Sequence, residues 1–214
     1  MRISITKEKG VVQSIAGNGI MIEGVDYREA PFAQRFEDLH GEFKQGAGTA
    51  SLTEEALLDT DYFAYFFRHN QADKLYFTFQ MTHSWDRETD VEVHVHTIPM
   101  ASGSGNVLFK YAYAWAPVNV TVPYGIGWSS GSTILAITPA DMLKHTITDL
   151  ATIAPISGVR ESSILFFQLQ RDGTDPTDTY VASKLLGTAA ANLAFLYCDV
   201  HFRNKSSGTD DEGD

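Results

Sequence analysis

Any chemistry in this chain would have to start from its histidines and carboxylates. The run Asp90-Val91-Glu92-Val93-His94-Val95-His96 places two imidazoles two residues apart. On an extended strand, residues two apart project from one face. His94 and His96 could therefore share a metal ion, with Glu92, Asp90 or His83 supplying an oxygen or a third nitrogen. The alternative is a polar strand face, hydrogen-bonded to water or to a neighbouring subunit. That reading is adopted: no metal and no cofactor is expected, and His94, His96 and His201 are interface candidates. Asp199 and His201, also two apart, share a face of a later strand.

Other constellations are weaker. No serine is read as a nucleophile. Cys198 alternates with Leu196 and Val200, the setting of a buried, inert thiol. Asp90, Glu92, Asp172, Asp175 and Asp178 could supply the paired carboxylates of a glycosidase, but their spacing selects no pair. Gly125-Ile126-Gly127 has no helix directly after it, as a dinucleotide loop requires. Tyr62, Tyr65, Trp85, Trp115 and Trp128 could stack on sugars or bases. Core or interface packing explains them equally well, and Tyr62, Phe63, Tyr65, Phe66 and Phe67 form an aromatic run suited to a subunit interface. With no catalytic constellation, the chain is not expected to be an enzyme.

Composition narrows the partners. The 214 residues carry a formal charge of −11, which disfavours a grip on nucleic acid or on an anionic membrane surface. No apolar run approaches the roughly 20 residues of a membrane helix. The 43% hydrophobic content is enough for a sizeable core, and the 20% charged content is too low for a disordered chain. A single Cys allows no disulfide within the chain. Met1–Lys9 contains no apolar signal core, so assembly inside a cell is expected.

Strands must position these residues. From Leu75 onward the apolar period is two: Leu75, Phe77 and Phe79; Val91, Val93 and Val95; Val107, Phe109 and Tyr111; Leu165, Phe167 and Leu169; Leu196, Cys198, Val200 and Phe202. Val118, Val120 and Val122 alternate too, and Ser102–Asn106 reads as a hairpin-type loop. Roughly eight short strands without βαβ alternation predict an all-β, antiparallel, jelly-roll-like β-sandwich. Residues 75–203 are assigned to it. Residues 1–74 are read as an N-terminal extended arm that anchors the protein. Ser51-Leu52-Thr53-Glu54 in this arm resembles a capping box and predicts a short helix through Leu57 and Leu58. Residues 204–214 read as a disordered acidic tail.

Several blocks, taken in order, resemble a family of tailed-bacteriophage virion proteins. Its members often carry an aromatic strand, a His-x-Trp turn, a D-x-x-x-H-x-H strand and a late R-D-x-x-D-x-x-D-T-Y turn before a final strand. Here these are Leu75-Tyr76-Phe77-Thr78-Phe79-Gln80, Thr82-His83-Ser84-Trp85, Asp90–His96, Arg171–Tyr180 and Tyr197–Phe202. Thr97 stands where members often have Trp, and Asp86-Arg87 where they often have Lys-Glu. The resemblance implies a non-enzymatic capsid decoration or cement protein, with the major capsid protein as partner and the capsid surface as its location. A homotrimer would match a local three-fold axis. A head-fibre or tail-associated part is the first alternative. A cupin-like metal enzyme built on His94 and His96, or a glycan-binding module using Trp85, Trp115 and Trp128, is the second. A cupin would need a Glu soon after the second His, and Thr97–Ser102 supplies none.

Overall fold

The computed structural model describes residues 12–15, 19–22, 25–26, 36–45, 52–58, 60–121, 128–184 and 187–204. The chain divides into two compact units, Met1–Phe36 and Glu37–Asp214. In the first, the short apolar pieces between glycines become β1 (Val12–Ile15), β2 (Gly19–Ile22) and β3 (Val25–Asp26). They form a three-stranded antiparallel sheet, with Val12 across from Ile22 and Met21 across from Asp26.

The second unit is a jelly-roll-like sandwich of two sheets. One sheet has the order β11 (Ser129–Ile137), β10 (Gly105–Ala116), β13 (Ile164–Asp172), β8 (Ala72–Gln80), β5 (Glu42–Gln45). The other has the order β12 (Thr146–Ile153), β9 (Val91–Pro99), β14 (Ala191–Arg203), β7 (Phe63–Arg68), β6 (Thr53–Ala56), and β4 (Phe36–His40) also pairs with β14. Pairing along both orders is antiparallel.

Alternation dictates which faces meet. Leu75, Phe77 and Phe79 of β8, Leu165, Phe167 and Leu169 of β13, and Val91, Val93 and Val95 of β9 are all buried in one core. Phe43 and Phe77 of one sheet meet Phe195 of the other at 5.5 and 5.9 Å, in edge-on and tilted geometry. Each such side chain stabilises the fold by about 1.5–3 kcal/mol through burial.

Bulges adjust the phase. In β14 the register shifts between Phe195 and Tyr197, so Phe195 and then Cys198, Val200 and Phe202 reach the core. Leu196, grouped with that set by strict alternation, is the extra residue and is only half-buried. In β12 the register shifts between Asp149 and Ala151. Leu150 thereby enters the core while Asp149 stays outside.

The structure revises several expectations. The predicted boundary between residues 74 and 75 falls inside β8, and residues 37–74 supply strands to both sheets. Gly41 carries the chain from one sheet to the other: its amide donates to the Cys198 carbonyl, and a Cβ there would lie 2.5 Å from Phe79 Cε1. No α-helix occurs among the described residues. Thr53–Ala56, read as a capped helix start, is strand β6, with Thr53 across from Phe66 and Ala56 across from Phe63. Tertiary pairing overrides the local capping signal. Capping-box chemistry appears instead at Thr138, whose amide and hydroxyl donate to the Asp141 carboxylate before one turn of 3-10 helix, Pro139–Asp141.

Among the described residues, seven strands, β8 to β14, lie between Ala72 and Arg203, where roughly eight were expected. Residues 117–121 form a turn, with Asn119 at φ 60°, so the Val118–Val120 alternation makes no strand there. The Ser102–Asn106 segment joins β9 and β10, which lie in different sheets, so it is a crossover rather than a hairpin. The acidic tail from residue 205, Gly125 and Gly127 lie outside the described residues.

Candidate functional site

Five of the seven histidines gather on the outer face of the β12-β9-β14 sheet, away from the core. Register places them. Across the β9–β14 pair, His96 faces Tyr197, His94 faces Asp199 and Glu92 faces His201. On the other side of β9, Asp149 faces His94. The β14 bulge makes this possible, because it keeps Tyr197, Asp199 and His201 on the outer face while Cys198 and Val200 remain inside.

The face separates into two groups. In the first, His96 Nδ1 lies 2.8 Å from His145 Nε2, and His96 Nε2 lies 3.3 Å from Asp199 Oδ1. The His96 ring stacks on Tyr197 at 4.0 Å, and His40 of β4 stacks on that tyrosine at 4.7 Å. Burial pushes the His96 pKa down; Asp199 opposes this, while His145 and His94 add to it. The Tyr197 hydroxyl is pushed up by burial, then by the carboxylates of Asp199 and Asp38.

In the second group, His94 and His201 pack edge to face with ring centroids 4.2 Å apart. His94 Nε2 lies 3.4 Å from Asp149 Oδ1. His201 Nε2 lies 2.9 Å from Asp38 Oδ1 and 3.5 Å from Asp199 Oδ2. Glu92 is exposed beside them.

The sequence-predicted pair is thus split: His94 and His96 share a face but belong to different groups. Among the described residues, no trio of metal-capable side chains contains both; Glu92, His94 and His201 form one trio, and Asp38, Asp199 and His201 another. His83 and Asp90 belong to neither. Sequence reasoning missed His40, His145, Asp38 and Asp149. His40 and Asp38 fall in the segment read as an arm, and Asp149 sits at a bulge whose register no sequence pattern shows.

Other candidates take plain structural roles. Phe66 and Phe67, offered for an interface, are fully buried in the chain; Tyr62 and Phe63 are well exposed, and Tyr65 is half-buried. Of the sugar-stacking candidates, Trp85 and Trp115 lie in the core, stacked at 5.7 Å, and Trp128 is exposed. The buried Trp115 also donates Nε1–H to the Ala154 carbonyl. The Cys198 thiol is buried, and burial pushes its pKa up, as an inert thiol requires. Gly127-Trp128-Ser129-Ser130-Gly131 has the letters of a nucleophile elbow. However, Ser129 opens the edge strand β11 instead of a strand-to-helix turn.

The carboxylates of the Arg171–Tyr180 block likewise hold the fold. Arg171 is completely buried, donating through Nε and Nη2 to the two oxygens of Asp178 at 2.9 and 2.8 Å. Its remaining donors reach Asn192 Oδ1 and the Tyr180 carbonyl. The Tyr180 hydroxyl donates to the Ala101 carbonyl and accepts from the Ala101 amide. Lys110 clasps Asp172 and Asp175 at 2.8 and 3.0 Å nearby.

Neither a protein-family model nor a curated protein matches the chain. Solved structures similar to it include TmCBM61 in complex with β-1,4-galactotriose (10% identity, TM-score 0.35, covering 77% of this chain and 88% of that one). A second is the CBM22-1 xylan-binding domain from Paenibacillus barcinonensis Xyn10C (11% identity, TM-score 0.40, covering 81% and 98%). A third is the mannan-recognising carbohydrate-binding module TmCBM27 (7% identity, TM-score 0.32, covering 79% and 89%).

Proposed function

We propose that this chain is a structural component of a tailed-phage virion, a decoration protein that sits between major capsid protein subunits and stabilises the head. The observation that carries the reading is the use of the ordered sequence blocks. Leu75, Phe77, Phe79 and Trp85 fill the core, and Arg171, Asp178 and Tyr180 form a satisfied buried network. The carboxylates of Asp172, Asp175 and Asp178 therefore serve a scaffold. Function then falls to surfaces, as in an architectural protein.

The anchoring element is the first unit, Met1–Phe36, since residues 37–74 belong to the sandwich. A small sheet that pairs its edge strands or fills a groove at a shell joint gains contact area at many equivalent positions. The exposed Tyr62 and Phe63 at the start of β7 offer an aromatic contact to a neighbour, the major capsid protein or another copy in a homotrimer.

Quantitative mass spectrometry of purified particles tests this. The chain is expected at a fixed ratio to the major capsid protein, and particles lacking it are expected to rupture at a lower temperature. Its absence from particles, or equal robustness without it, overturns the reading. Truncation before Glu37 is expected to abolish particle occupancy while leaving the sandwich folded; unchanged occupancy rejects the anchor assignment.

A further inference from the structure

We propose that Glu92, His94 and His201 form a site for a divalent transition-metal ion, with Zn²⁺ as the best fit, on the outer face of the β12-β9-β14 sheet. One ligand atom from each of the three lies within 4.8 Å of the other two. Register creates this convergence: His201 lies directly across from Glu92, and His94 is two residues along β9 on the same face. Side chains directly opposite on antiparallel strands have Cβ atoms about 4.5–5.5 Å apart, close enough for a carboxylate and an imidazole to meet one ion.

Zn²⁺ binds histidine nitrogen and carboxylate oxygen at about 2.0–2.2 Å, so ligands on one ion lie roughly 3–3.5 Å apart. The trio must close slightly, which an exposed Glu92 and a His201 side chain at 31% exposure can do.

A second observation is independent of that spacing. Each imidazole has a carboxylate near Nε2: Asp149 for His94 at 3.4 Å, and Asp38 for His201 at 2.9 Å, with Asp199 at 3.5 Å. A carboxylate beside one ring nitrogen, with the other nitrogen left for the ion, is the arrangement that orients metal-binding histidines. His94 Nδ1 is buried and has no hydrogen-bond partner. A metal ion would satisfy that orphaned atom.

Charge agrees. Asp38, Glu92, Asp149 and Asp199 surround the two imidazoles on a chain of formal charge −11. A surface cleft of ≈ 190 Å³, lined in part by Glu92, His94 and Asp149, opens beside the trio and leaves room for water in the remaining coordination positions. His96 is excluded from the site because its nitrogens face His145 and Asp199.

The test is calorimetric titration of the chelator-stripped, full-length chain with ZnCl₂, with Co²⁺ absorption as a report of coordination. One equivalent per chain is expected. Glu92→Gln and His201→Asn should each weaken binding at least about tenfold, and Asp38→Asn, acting through His201, about tenfold. His96→Gln should leave affinity unchanged. Circular dichroism and thermal unfolding without metal should match the parent chain for the exposed Glu92→Gln, separating ligation from folding. Absence of saturable Zn²⁺ or Co²⁺ binding overturns the proposal, as does stoichiometric binding that survives the Glu92→Gln/His201→Asn pair.

Discussion

Two polar clusters in the sandwich use similar residues in opposite ways. At the end of β13, Arg171, Asp178, Asn192 and Tyr180 are buried together, and the guanidinium meets a carboxylate, an amide oxygen and a backbone carbonyl. Asn192 in turn donates to the carbonyls of Tyr180 and Ala182. On the outer face of the other sheet, His94, His96 and Asp199 are also buried, yet His94 Nδ1 lacks a hydrogen-bond partner, and His96 Nε2 and Asp199 Oδ1 meet only each other, at 3.3 Å. A satisfied buried network fixes one structure, whereas orphaned polar atoms raise the free energy of the face that carries them. The comparison assigns stability to the first cluster and leaves the second as the place where an incoming ion or partner would gain most.

The largest expected effect is on the satisfied side. Asp178→Ala strands a buried guanidinium and is expected to destabilise the chain by about 3–5 kcal/mol in urea unfolding. A loss under about 1 kcal/mol would mean that the cluster is not the fixed framework its geometry describes. Tyr180→Phe comes next. It removes both partners of the Ala101 backbone, and a cost of about 2 kcal/mol is expected, within the range for leaving buried backbone groups unpaired.

The imidazole face should respond differently to a comparable change. Asp199→Asn removes a buried charge held only by long contacts, 3.3 Å to His96 and 3.5 Å to His201. The expected change is within about 1 kcal/mol of zero in metal-free protein, because relief of desolvation offsets the lost attraction to His96 and His201. A cost matching that of Asp178→Ala would erase the distinction between the two clusters.

What the sequence made legible follows the physics of each signal. Period-two burial depends only on neighbours along one strand, so β8, β9, β10, β13 and β14 could be read directly, along with the inert Cys198. Pairing partners depend on register, which bulges reset, at Leu196 and Leu150 around the imidazole face. This is why His94 meets His201 and Asp149 rather than His96. The segment from Glu37 to Ala72 read as an arm because its strands are short and separated by Gly- and Ala-rich stretches. Only tertiary pairing with β14 and β8 shows that it closes both sheets. The aromatic run misled for a related reason: strand alternation alone does not say that Phe66 and Phe67 are both buried, one in each of two apolar clusters.

The smallest effect concerns the exposed Lys110 clasp beside the Arg171 network, and pH reads it. The Asp175 carboxyl is held down from 3.8 to about 2 by the Thr177 backbone amide and then by Lys110. The Asp172 carboxyl is also lowered: burial raises it, but Lys110 and Thr174 outweigh that effect. A folded-state pKa below the unfolded one means that the unfolded chain binds more protons in that interval. The clasp therefore contributes its stability above about pH 4 and loses it as pH falls toward 2. Carboxyl-carbon NMR titration of Lys110→Met should show both pKa values rising, with Asp175 still below 3.8 because the Thr177 amide remains. The difference in unfolding temperature between Lys110→Met and the parent should shrink on acidification across the same interval. A difference that holds constant down to pH 2 would show that Lys110 acts through packing of its alkyl stem rather than through the two carboxylates.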